Sequence, residues 1–400
     1  MINPISNKAK SVSVPQETDD DSAFWWKKTS PILENLMQWA GYDRSLQSKY
    51  MQFYGQCITP LLGRRLGDPR VSREWSSFMT DDTTPLEFSC SWISTQKKPI
   101  VRFSMEPIGK LAGTSDDPFN LQILSQSIEV LRPWLSQLDL QWFDRLLNEL
   151  VVRPEHIKER ANALVDHSSQ IFFAFDLREQ GLALKAYFLP GLKSAETNLS
   201  RWALIRRAVT NLAGSPSMND SITTFARYME TRSKRLQLEA EIIGIDCVSP
   251  SVSRIKIYIR SQMTAFKDVE DILTLGGSLS YFKTERSRVL LEQLWQDLFN
   301  PKSKLPQSSL EKTEHRTGGI LYYFEFHNGS DQPVPKVYLP VRHYAQNDLQ
   351  IAKGLEEYLK STMSNFRSGS YVSLIKKILS VTTFPPQYLD VFLTHSIYTQ

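Results

Sequence analysis

One pattern recurs along the 400-residue chain and limits what it can fold into: an alternating strand carrying a cation followed, two residues later, by a tyrosine. It reads Leu182-Ala-Leu-Lys185-Ala-Tyr187-Phe188, then Arg254-Ile-Lys256-Ile-Tyr258-Ile-Arg260, then Lys336-Val-Tyr338-Leu-Pro340-Val-Arg342. Each copy follows a second strand-like run, at 171–175, 242–245 and 320–326, so each unit holds a hairpin. An earlier pair, 85–92 and 100–103, puts Arg102 at the equivalent point. The cation returns roughly every 70 to 85 residues, too long a period for a solenoid repeat. Between the hairpins, 121–151, 197–212 with 222–238, 269–299 and 349–359 have helical spacing. Hairpins joined through helices predict an α+β chain in which one antiparallel sheet closes into a barrel with the helices outside. Closure removes the edge strands and leaves a lumen.

Composition narrows the partners. Lys+Arg 47 against Asp+Glu 43 gives a formal charge of +4, spread without a basic tail, which argues against a dedicated nucleic-acid or membrane-surface binder. Cys57, Cys90 and Cys247 are too scattered for a disulfide framework and predict a reducing, cytoplasmic setting. No apolar run approaches the ~18 residues of a membrane span, and the polar start has no secretory signal pattern. Residues 1–22, rich in Ser, Asn, Gln and acids, predict a disordered tail, with 23–400 forming a single domain.

Orientation decides what the strands do. On 254–260 the isoleucines 255, 257 and 259 share one face and the polar residues the other. A lone amphipathic strand of this kind normally buries its isoleucines and wets its cations. Recurrence of the Lys-x-Tyr pair favours the opposite arrangement, with isoleucines under the helices and cations in the lumen. Cations converging there require compensating negative charge, which suits a phosphate or diphosphate ligand. Tyrosine faces beside them would stabilise a carbocation or ammonium by about 0.5–2 kcal/mol each. Such a lumen suits ionisation of an allylic diphosphate. Other phosphate chemistries lack their signatures: the sequence has no P-loop, no GxGxxG, no DDxxD and no HExxH. No metal or other cofactor is expected.

The chain also resembles the fungal dimethylallyltryptophan synthase family of aromatic prenyltransferases. The resemblance rests on Trp25-Trp26 with Pro31, Ala40-Gly41-Tyr42-Asp43 with Gln47, Thr84-Pro85-Leu86-Glu87, Arg102-Phe103, Glu106-Pro107-Ile108 and Asp117-Pro118-Phe119-Asn120. It continues through Phe175-Asp176-Leu177, Lys185-Ala186-Tyr187, Asp246-Cys247, the 254–258 strand, Thr274-Leu275-Gly276-Gly277 and the 336–341 strand. It implies a closed ten-stranded antiparallel barrel of αββα units, the ABBA prenyltransferase barrel. It further implies that Arg102, Lys185, Arg254, Lys256 and Lys336 bind the diphosphate and that Tyr187, Tyr258, Tyr338 and Tyr398 shield the allyl cation. Glu87 would accept the N–H of an indole, the catalytic role; its plainer reading is a strand-start glutamate bonded to neighbouring backbone. The lysine that tryptophan-specific relatives carry shortly before the Phe-Asp-Leu segment is absent from 168–173, which argues against free tryptophan C4-prenylation. Leu321 would limit the donor pocket to five carbons if it faces inward, and otherwise simply packs.

The expected function is metal-independent transfer of a dimethylallyl group from dimethylallyl diphosphate to an indole-containing acceptor of fungal secondary metabolism. A phenolic acceptor, such as a xanthone, tyrosine or polyketide, is the alternative, and a non-catalytic anion-binding barrel is the third reading. Helices outside a barrel can be solvated or can form a homodimer contact, and the sequence does not choose.

Overall fold

The cation-bearing segments with a period of two form strands. The computed structural model describes residues 20–65, 75–92, 98–153, 167–212, 216–279, 285–299, 308–363, 366–381 and 396–397. Its strands are β1 (Leu86–Trp92), β2 (Ile100–Met105), β3 (Ile171–Arg178), β4 (Gly181–Phe188), β5 (Leu238–Asp246), β6 (Arg254–Ser261), β7 (Ile320–His327), β8 (Val334–Tyr338) and β9 (Ser396–Ile397). They make one sheet in the order β8-β7-β6-β5-β4-β3-β2-β1-β9. From β1 to β8 every strand pairs antiparallel with the next in sequence.

The expected antiparallel barrel is seen in part. The described residues show eight antiparallel strands in a curled sheet, and β9 joins β1 in parallel through Ser91–Ser396 and Trp92–Ile397. The last strand was expected over 392–398, of which only 396–397 are described, and Tyr398 lies outside the described residues.

Two apolar layers lie on the two faces of this sheet. On the outer face Ile255, Ile257 and Ile259 are fully buried in the main core. Helices cover that face: Gln141–Leu150 contacts β4, and Pro216–Leu236 lies on β5 and β7. The inner face carries a separate cluster of Phe172, Ala174, Tyr187, Leu189, Tyr258 and Tyr323. β3 is therefore buried on both faces, which explains its nearly unbroken apolar run.

Several segments depart from the expected boundaries for identifiable reasons. The first helix, Asp20–Trp39, begins inside the predicted tail. Pro133 lacks an N–H and divides the 121–151 stretch into Ile123–Leu131 and Gln141–Leu150. The stretch 269–299 breaks at Leu275, Gly276 and Gly277, all at positive φ. The third Lys-x-Tyr strand stops at Tyr338, because Pro340 opens a short helix, Val341–Tyr344.

Many of the resemblance motifs are ties that hold the sheet to its helices. Gly41, at φ +75, follows the end of the first helix, and Asp43 caps the next by accepting from the Leu46 N–H at 2.8 Å. Between them, the Tyr42 hydroxyl donates to the Leu177 carbonyl and accepts from the Val101 N–H at 3.0 Å, pinning β2 and β3. Asn120 bonds the Pro107 carbonyl and the Gly109 N–H at 2.7 and 2.9 Å, which joins two of the motifs.

Candidate active site

The inner face of the sheet surrounds a cavity of about 750 Å³. Glu87, Arg102, Lys185, Arg254, Lys256, Lys336, Tyr187, Tyr258, Tyr338 and Leu321 all line it. The inward orientation of the Lys-x-Tyr strands is thereby observed, and alternation produces it: Arg254, Lys256, Tyr258 and Arg260 share the face opposite the buried isoleucines.

Cross-strand register gathers the cations. Lys185 on β4 stands opposite Asp246 on β5, and Arg102 on β2 opposite Asp176 on β3. Asp176 accepts from Arg102 Nη2 at 3.3 Å and Arg178 Nη2 at 2.9 Å, lies 2.9 Å from Arg102 Nε as an ion pair, and pairs with Lys185. Asp246 accepts from Arg254 Nε at 2.5 Å and Lys256 Nζ at 3.0 Å. Glu325 on β7 takes Arg254 Nη1 at 3.1 Å. The premise that the cations need a bound anion for compensation is therefore corrected: three carboxylates of the sheet supply much of it. In this layer the cations Arg102, Arg178, Lys185, Arg254, Lys256 and Lys336 outnumber the three acids.

The electrostatics follow from burial and pairing. Burial alone would raise the Asp176 and Asp246 carboxyls, but Arg102 and Lys185 on the first and Lys256 and Arg254 on the second hold both below the usual carboxylate range. Burial pushes the Lys185 ammonium down to about 8, against the pull of Asp176. An incoming polyanion would favour its charged form further.

Next to this charged layer lies an aromatic one. Phe172 and Tyr187 stack with centroids 4.5 Å apart and planes 4° from parallel. Tyr187 meets Tyr258 at 5.9 Å, Tyr258 meets Tyr323 at 5.0 Å, and Tyr338 is 5.9 Å from Tyr323. Lys336 Nζ stands 5.0 Å from the centre of the Tyr323 ring. Burial raises the Tyr187 and Tyr258 hydroxyls well above their ordinary value, so both rings stay neutral phenols. Their faces present electron density without a nucleophilic phenolate, which suits a surface that must contact a carbocation and not react with it.

Glu87 faces the cavity from β1, opposite Ser104 and two residues along β1 from Ser89, the partner of Arg102. Burial pushes its carboxyl up to about 8. A bound N–H donor would favour the ionised form. The loop before β1 completes this side with Phe78 and Met79, which pack on the inner aromatic cluster. Glu106, just past β2, anchors that loop, accepting from Trp75 Nε1 at 3.1 Å and Ser77 Oγ at 2.5 Å.

Sequence reasoning assigned no role to Asp176, Asp246, Glu325, Tyr323 or Phe172. Period two could have found Tyr323 and Glu325, which share the parity of Leu321 on β7. The two aspartates sit in quoted motifs, but their partnership depends on register. Among the described residues no group of three His, Cys, Asp or Glu side chains is arranged to hold a metal ion, and no helix is long and apolar enough to cross a membrane.

Known proteins are similar to this chain in sequence and in fold. The sequence model of tryptophan dimethylallyltransferase matches residues 21–373. A 4-O-dimethylallyl-L-tyrosine synthase of Claviceps purpurea is 35% identical over 373 residues, covering 91% of this chain and 83% of the relative. A 7-dimethylallyltryptophan synthase of Aspergillus fumigatus is 35% identical over 354 residues, covering 84% and 74%. The crystal structure of AnaPT from Neosartorya fischeri superposes with a TM-score of 0.77 at 23% identity, covering 93% of this chain and 89% of that one. NotF in complex with brevianamide F and DMSPP also gives 0.77 at 23%, covering 92% and 89%. The chain therefore belongs to the tryptophan dimethylallyltransferase family and is an aromatic prenyltransferase.

Proposed function

We propose that the protein transfers a dimethylallyl group from dimethylallyl diphosphate to an indole-containing acceptor, without a metal ion, in a cytoplasmic setting. The observation that carries this reading is the adjacency of two layers in one cavity, the cations anchored on Asp176 and Asp246 and the rings of Tyr187, Tyr258, Tyr323 and Tyr338. Arg102, Lys185, Arg254, Lys256 and Lys336 bind the diphosphate and stabilise charge building on its oxygens as the C–O bond breaks. The tyrosines shield the allyl cation from water, and the aromatic ring attacks it before losing a proton. Glu87 accepts the indole N–H and makes the ring more nucleophilic, and Leu321 bounds the donor chain.

A phenolic acceptor is the second reading, favoured by the Claviceps relative whose name specifies tyrosine. Glu87→Gln separates the two. Large loss of transfer to indoles with little change on phenols supports the indole assignment; unchanged activity on indoles removes the role given to Glu87.

A further inference from the structure

Past the tyrosines the cavity wall carries a second charged pair that neither diphosphate capture nor cation shielding uses. Arg260 is the inward residue after Tyr258 on β6, on the side away from Lys256 and Arg254. Beside it, β5 bulges: the register slips between Ala240 and Ile242, and both Glu241 and Ile242 line the cavity. A bulge is how a strand re-aims a side chain that strict alternation would send to the other face.

Arg260 Nε and Nη2 hold Glu241 Oε1 and Oε2 at 2.6 and 3.0 Å. Its Nη1 donates to the carbonyls of Thr317 and Gly318 at 3.2 and 3.4 Å. The guanidinium is thus committed to protein acceptors, whereas each Glu241 oxygen has acceptor capacity beyond the bond from Arg260. Glu241 is also the more accessible of the two, at 20% of its side chain against 10%. A buried pair contributes little stability over apolar packing of the same volume. A carboxylate fixed in position by a bulge and a fully engaged arginine, and open to the cavity, suits a cationic ligand group.

We propose that Glu241, oriented by Arg260, recognises a protonated amine on the aromatic acceptor, so that the acceptor is an arylalkylamine or free amino acid and not a neutral or N-acylated compound. This rests on the prenyl-transfer reading above, because it places the acceptor in the same cavity as the donor.

The test compares kcat/KM for dimethylallyl transfer to tryptamine with that to N-acetyltryptamine and indole-3-propionate. Tyramine and 3-(4-hydroxyphenyl)propionate make the same comparison for phenols. The amines are expected to lead by roughly ten- to hundredfold, the range of a hydrogen bond to a charged group, expressed mainly in KM. Glu241→Gln should shrink that lead to a few-fold. Equal use of tryptamine and N-acetyltryptamine by the unmodified enzyme, or an unchanged ratio in Glu241→Gln, overturns the proposal while leaving prenyl transfer standing. Absence of transfer to every acceptor overturns the prenyl-transfer reading itself. Circular dichroism checks that the variant folds, and if it does not, the ratio of the unmodified enzyme decides alone.

Discussion

Gly244→Ala should damage catalysis through a ring it does not belong to. Gly244 stands opposite Tyr187 in the β4–β5 register, and a Cβ there would lie 2.7 Å from both Cδ1 and Cε1 of that tyrosine. Ordinary contact starts near 3.4 Å, so the ring must retreat by roughly 0.7 Å. Its other face is stacked on Phe172 at 4.5 Å, which leaves no free space to retreat into. Overpacking of this kind costs about 1–3 kcal/mol, partly offset by about 0.4–1 kcal/mol from the lower chain entropy of alanine in the unfolded state. The predicted net loss of stability is therefore about 1–2 kcal/mol. The effect on chemistry is larger, because a displacement near 1 Å at a reacting centre can cost about 100-fold in rate. Steady-state kinetics with dimethylallyl diphosphate and an indole should show kcat falling about 10- to 100-fold. Dimethylallyl alcohol, the product of water capture, should rise relative to prenylated product. Normal kcat, normal partition and an unchanged melting temperature would refute the tight placement of Tyr187 and the shielding role built on it.

Three further outcomes are expected. As pH rises through about 8, Glu87 gains its charge while Lys185 loses its own, so kcat/KM for an indole should trace a bell centred near 8. Glu87→Gln should erase the rising limb, and a flat profile between pH 7 and 9 would contradict both assignments. Asp176→Asn leaves Arg102 and Lys185 without their shared counter-ion and should cost about 3–5 kcal/mol, read by denaturant unfolding. A cost below about 1 kcal/mol would show that the cations do not depend on it. Leu321→Ala should raise the use of geranyl diphosphate relative to dimethylallyl diphosphate by roughly tenfold or more, and an unchanged ratio would mean that Leu321 only packs.

Much of this site was legible because alternation carries it. A strand reading Arg-Ile-Lys-Ile-Tyr-Ile-Arg sorts its side chains to two faces, and the return of the Lys-x-Tyr pair distinguished the lumen from solvent. What resisted was whatever depends on register. Nothing in the sequence pairs Arg102 with Asp176 or Lys185 with Asp246, so the cations looked as if only a ligand could balance them. Glu241 was hidden for a related reason: its inward position comes from a bulge, which breaks the alternation used to read the rest. Helix boundaries were misjudged where Pro133 and the Leu275–Gly277 turn interrupt otherwise continuous spacing.

The most direct measurement is mass spectrometry of products after incubating the protein with dimethylallyl diphosphate, a panel of indoles and phenols, and excess EDTA. An aromatic product heavier by one C5H8 unit, formed equally with and without EDTA and favoured with indoles, is the predicted result. Product formation that EDTA abolishes, or no transfer to any acceptor despite donor binding, would contradict metal-free prenyl transfer in this cavity.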